Sequence, residues 1–232
     1  MPGAGLRPAP GLVLAMARHR RGDFEGARQA LAASVLTYDW GAAKADNHDA
    51  WICHVLRREA EALILPDLPA LLAGRQQPRD NAERLTLLSA CQFEGRHAAA
   101  ARLYAGAFAA DPKLAEEFFA AGHRYIAARH AVLAASGRGA DAPKDDKDRS
   151  RLRGQALDWL KADLTALGKL AEGPAEQRLR VRQPLTYWRA DPDLTGVRDK
   201  DALANLPEDE RAKWQELWGE VDGLLQRVGD KK

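Results

Sequence analysis

Cysteine is almost missing from the 232-residue chain, which has only Cys53 and Cys91. Two thiols cannot build a disulfide framework, and their scarcity fits a reduced, cytosolic setting. Net charge is nearly missing too, because 35 Lys and Arg face 33 Asp and Glu. A dedicated nucleic-acid binder carries a marked basic excess, so that class is disfavoured. No apolar run approaches the roughly 18 residues of a membrane-spanning helix. Long apolar–polar alternation is lacking, which removes the main signal for half-buried strands. Aromatic residues are only 6% of the chain, yet six are tryptophan, so each large apolar anchor is worth placing individually.

What is present is helical. Ala, Leu, Arg and Glu fill the segments between breakers, and all four are strong helix formers. Asp80-Asn81-Ala82-Glu83 has the pattern of a capping box, and Asp111-Pro112 that of an N-cap with proline in the first turn. Leu206-Pro207 followed by three acids marks another start, favourable to the helix dipole. The pattern predicts helices near 11–21, 24–37, 49–65, 80–94, 97–110, 113–136, 150–171, 175–189 and 207–228. Residues 1–10, rich in proline and glycine, read as a disordered lead-in. The stretch from Gly11 to Ala17 mimics a short signal peptide, but Arg18-His19-Arg20-Arg21 follows at once. An ordinary helix fits it better, and the chain is then expected in the cytoplasm. The charged segment 139–149 reads as a linker between a repeat region, 11–138, and a C-terminal helical cap, 150–232.

The repeat region carries the most information. A tetratricopeptide repeat packs two antiparallel helices with small residues where they cross. Ala100, Tyr104, Ala107 and Pro112 have the spacing of its second helix, with Gly95 at the turn and Leu87 on the first helix. The same ruler fits Leu14, Gly22, Ala27, Leu31 and Ser34. A poorer copy starts at Tyr125 and opens its second helix with Ala156 and Leu160. Arg84, Leu88 and Cys91 replace the usual first-helix residues, so the repeats are divergent. The fold expected is all-α: a TPR-like array of antiparallel helix pairs, an α-solenoid, closed by a helical cap. First helices would then line a concave groove for a protein or peptide. Its candidate contacts are Met16, His19 and Arg20 in the first repeat, and Ser89, Gln92 and Phe93 in the middle one.

Three stretches carry a resemblance. Tyr38-Asp39-Trp40, Asp49-Ala50-Trp51-Ile52 and the run from His54 to Glu61 form the first. Leu152 to Leu160 with Asp163-Leu164 is the second. Trp188, Asp191-Pro192-Asp193-Leu194, Val197-Arg198-Asp199, Leu206-Pro207, Glu210-Arg211, Trp214 and Leu217-Trp218 form the third. Together they resemble the C-terminal TPR-type helical tail of large bacterial Ser/Thr protein kinases. The resemblance implies a scaffold or regulatory module. The kinase portion itself is absent: no glycine loop, no V-A-I-K lysine and no H-R-D loop occur. Asp23-Phe24-Glu25-Gly26 mimics D-F-G but has an extra residue and sits at an inter-helix turn.

Reactive chemistry has weak support. Cys53, His54, Cys91 and His97 lack zinc-site spacing, and buried, inert cysteines explain them better. His123 and His130 read as surface or packed histidines, without a metal or catalytic motif. Arg57 and Arg58 with Glu59 and Glu61 suggest ion pairing on a solvated face, a buried bridge being the alternative. Arg178, Arg180 and Arg182 form a basic cluster diluted by Glu172 and Glu176. Asp191-Pro192-Asp193 fits a turn whose side chains accept backbone N–H bonds. No catalytic residue, cofactor, metal, nucleic acid or membrane contact is expected. A non-binding structural remnant and a cryptic His/Cys-dependent enzyme are the alternatives to a binding module.

Overall fold

The computed structural model describes residues 6–36, 38, 40, 47–80, 83–84, 87–88, 90–91, 95–116 and 122–230. Among these residues every regular element is a helix. The chain divides into two compact units, Met1–Leu103 and Tyr104–Lys232.

In the first unit, α1 (Ala9–Arg20) and α2 (Phe24–Leu36) form a hairpin. Its turn holds Gly22 at φ +83°, a conformation that strains any residue with a Cβ. The lead-in is shorter than the sequence suggests, because Ala9 and Pro10 are already helical; residues 1–5 lie outside the described ones. Proline in a first turn loses no needed donor, so Pro10 starts the helix rather than delaying it. α3 (His48–Ile64) starts at Asn47, whose side chain accepts the N–H groups of Asp49 and Ala50. The three helices pack on one another and bury Leu12, Ala15, Ala27, Leu31, Val35 and Cys53 together. The repeat ruler therefore fits α2 but slips on α1, where Leu14 is 47% exposed and Leu12 and Ala15 take the core.

Trp40 closes this core. Its indole N–H donates to the Val35 carbonyl at 2.8 Å, and the Arg57 guanidinium lies 4.8 Å from its ring centroid. Arg57 Nε donates to Glu61 Oε1 at 2.6 Å, and both residues are buried. This corrects the solvated face expected for the pair; only Arg58 and Glu59 face solvent. The physical reason is the tryptophan, whose face accepts a cation that i,i+4 pairing has already neutralised.

A second cluster joins α4 (Leu68–Leu72) with Leu87, Cys91 and α5 (His97–Ala110) through Ala99, Ala100 and Leu103. Gly95 takes φ +64° at the turn before α5. Ala100 and Ala107 are both buried. The capping box is present in altered form: Asp80 Oδ1 accepts the Glu83 N–H at 2.8 Å, while Glu83 reaches back to the N–H of Arg79 rather than Asp80. Arg28 Nε donates to Asp80 Oδ2 at 2.7 Å and ties α2 to that cap.

In the second unit, α6 (Lys113–Glu116) starts from Asp111, which accepts the Lys113 N–H at 3.1 Å. α7 (His123–Ala135) packs along α8 (Asp146–Ala171). The segment 139–149 thus joins two packed helices of one unit, and the division between units falls earlier, inside α5. α8 begins four residues before the predicted start because Asp145 caps it, accepting the Asp148 N–H at 2.9 Å. α9 (Ala175–Ala190) leads through a 3₁₀ turn, Pro192–Leu194, to α10 (Thr195–Arg198) and α11 (Lys200–Ala204). α12 (Glu208–Asp230) ends the described chain and packs with α8 and α9.

Apolar residues at three- and four-residue spacing form the buried faces of α8 and α12. Leu152, Ala156, Leu160, Leu164 and Leu167 of α8 are in the interior, as are Trp214, Leu217, Trp218, Val221 and Leu224 of α12. Each fully buried leucine contributes roughly 1.5–3 kcal/mol. Arg153 grips Glu210 with two hydrogen bonds, 2.6 and 3.1 Å, and so fixes the start of α12 against α8. No described helix is long and apolar enough to cross a membrane.

Candidate functional site

The end of α9 turns a corner built on Asp191. Its Oδ1 accepts the Asp193 N–H at 2.9 Å, which is the side-chain-stabilised turn the sequence suggests. Its Oδ2 accepts the Tyr125 hydroxyl and lies 2.9 Å from Arg129 Nε. Arg129 also donates to Asp193 Oδ2. Arg198 Nη1 donates to the Asp191 carbonyl at 2.7 Å and to the Trp188 carbonyl at 3.3 Å. From α12, Trp218 donates its indole N–H to the Val197 carbonyl at 2.7 Å. Asp191, Trp188 and Trp218 are buried, and these partners satisfy polar groups that would otherwise be costly there. Burial drives the Tyr125 hydroxyl far above the usual tyrosine range, and its bond to Asp191 adds to the effect, so it stays a proton-bearing donor.

This corner orients three rings. Tyr125 and Trp188 stack with centroids 5.4 Å apart and planes 4° apart. Tyr187 meets Tyr125 edge-on, at 5.8 Å and 66°. Beside them opens a cavity of about 500 Å³. It is lined by the three rings together with Gly122, Arg180, Gln183 and Pro184. Tyr187 is 53% exposed, unusual for so large an apolar body. Pro184 sits inside α9, where it brings no N–H to the helix and keeps that turn apolar. Aromatic and apolar surface dominates the described lining, with Arg180 and Gln183 as its polar side chains besides the tyrosine hydroxyls.

A second cluster lies where α7 faces α8. Arg124 Nη1 donates to Asp163 Oδ1 at 2.9 Å, while Asp163 Oδ2 is buried without a hydrogen-bond partner among the described residues. Burial pushes the Asp163 carboxyl up to about 6, against the pull of Arg124. Tyr104 has ring contacts to both His123 and His130, at 6.1 and 6.4 Å, which makes them packed histidines. Cys53 and Cys91 are buried free thiols, and burial raises the Cys53 pKa. Among the described residues no three His, Cys, Asp or Glu side chains are grouped as a metal site needs.

The groove candidates have mixed placements. Met16 packs against the core of the first unit. His19 is half-buried and meets Phe24 edge-on at 5.0 Å, and Arg20 is exposed. Ser89, Gln92 and Phe93 lie outside the described residues. The aromatic cavity uses none of them. Its sequence signal was Tyr187-Trp188 one turn beyond a proline within a helix, beside arginines that read as a solvated face. What no spacing rule gave is the pairing of Tyr125 with Trp188, which depends on the Asp191 corner. No known protein family, curated protein or solved structure matches the chain.

Proposed function

We propose that this chain is a binding module without catalytic chemistry of its own. It is an array of TPR-like helix pairs that holds a protein or peptide segment, acting in the cytoplasm as a scaffold or regulatory arm. That is the role implied by its resemblance to the tails of bacterial Ser/Thr protein kinases. The observation that carries the reading is the cavity beside Tyr187. An exposed ring beside a buried aromatic stack, with an arginine in the same lining, is the kind of anchor site that dominates protein interfaces. In the same reading, Met16, His19, Arg20, Ser89, Gln92 and Phe93 contribute a second contact face.

Capture from native lysate tests this. Tyr187→Ala should lose a partner that the wild-type chain retains, and a Gln92→Ala/Phe93→Ala double variant tests the second face. Identical captures by wild type and both variants would remove the basis for the proposal.

A further inference from the structure

Going beyond the binding-module reading, we infer that the outward face of α1 lies on an anionic lipid surface. The inward face is set by Leu12 and Ala15, which are fully buried where α1 packs with α2 and α3. Pro10, Val13, Leu14, Ala17, Arg20 and Arg21 are all exposed. Their spacing of three and four residues places them together on the other side of the helix. The first four are apolar, with Val13 50% and Leu14 47% exposed, and Leu6, just before the helix, is 43% exposed. Single exposed leucines are ordinary, but a helix that is apolar on both sides is one that becomes covered on both. The sequence alone does not point here, because no polar face separates the buried apolar residues of α1 from the exposed ones.

Charge selects what covers it. Residues 6–22 hold four arginines and no acid. Arg18 is engaged, lying 3.9 Å from Asp23 and donating to the Gly26 carbonyl at 3.2 Å. Arg7, Arg20 and Arg21 are exposed and have no partner among the described residues. One stands before α1 and two at its end, with about 18 Å of helix between. An apolar strip with cations at both ends suits a helix lying in a bilayer interface, where the strip enters the acyl boundary and the arginines reach lipid phosphates. The nearest acids are held locally: Asp23 accepts the Gly26 N–H and Glu25 the Gln29 amide. A second copy fits worse. Two such faces packed antiparallel would set Arg7 of one copy near Arg20 and Arg21 of the other, with no acid from either face between them.

The test is flotation of the full chain with vesicles of an equal mixture of phosphatidylcholine and phosphatidylglycerol, against phosphatidylcholine alone. Three arginines at the surface should favour the anionic vesicles on the order of a hundredfold. Val13→Asp/Leu14→Asp should weaken binding about tenfold or more, and so should Arg7→Glu/Arg21→Glu. Val13→Ile/Leu14→Met should keep it. All four positions are exposed, so the variants should melt at the wild-type midpoint. If the aspartate pair shifts the melt, the glutamate pair decides, since neither arginine has a partner to lose. Added salt should release the chain by screening. Equal binding to both kinds of vesicle, or binding that both charge variants retain, overturns the inference. No binding to either kind overturns it too. If sedimentation then shows a dimer that Val13→Asp/Leu14→Asp breaks, the face belongs to a second copy. None of these outcomes touches capture through Tyr187, so the binding module stands or falls separately.

Discussion

Asp163 is a buried carboxyl whose pKa rises to about 6, chiefly through burial. An unfolded aspartate titrates near ~3.9, so the folded state binds the proton more tightly. The stability this group provides is therefore full below about pH 4 and is lost as pH rises through about 6. Asp163→Asn keeps the shape and removes the titration. Its melting temperature relative to wild type should climb as pH goes from about 4 to 7, followed by circular dichroism. A flat difference across that range would show that the carboxyl is not held as described. Gly22 offers a second single-residue test. Its φ is +83° and nothing lies within 4 Å of a built Cβ, so Gly22→Ala should cost about 1 kcal/mol through the backbone alone.

For the helices, the sequence was informative wherever periodicity and caps agreed. α5, α9 and α12 appear within two residues of their predicted bounds, whereas the single helix predicted over 113–136 is described as α6 and α7, with Gly122 at φ +58° immediately before α7. The 3₁₀ turn and short helices between Pro192 and Ala204 were missed, since elements of three to five residues show no period. The register of α1 was misread because Leu14 and Leu12 are equally apolar, and only packing against α2 and α3 selects Leu12. Ala100 is completely buried beside Leu87 and Leu103. Ala100→Arg should cost several kcal/mol, because the described residues of that cluster are apolar and leave the buried charge without compensation. A thermal melt with the wild-type midpoint would refute the packing. The aromatic cavity was the least legible feature, because Tyr125 and Trp188 are 63 residues apart in the numbering and meet only through the Asp191 corner.

At the scale of the whole molecule, the tryptophans are unevenly exposed. Trp51 is 52% exposed, whereas Trp40, Trp159, Trp188, Trp214 and Trp218 are buried. Iodide should therefore quench one component of the native fluorescence, and Trp51→Phe should abolish it without shifting the melt. Quenching that survives this change would contradict the burial of the other five. The missing kinase motifs lead to a further expectation: purified protein should transfer no phosphate from ATP, and measurable autophosphorylation would overturn the non-catalytic reading. The hydrogen bond from Trp218 to Val197 also has a consequence for biosynthesis. The corner emerges from the ribosome before the indole that seals it, 21 residues downstream. A nascent chain cannot finish its second unit until α12 is translated. A premature stop after Arg198 would release a product with an unroofed apolar face, marked for aggregation or proteolytic clearance.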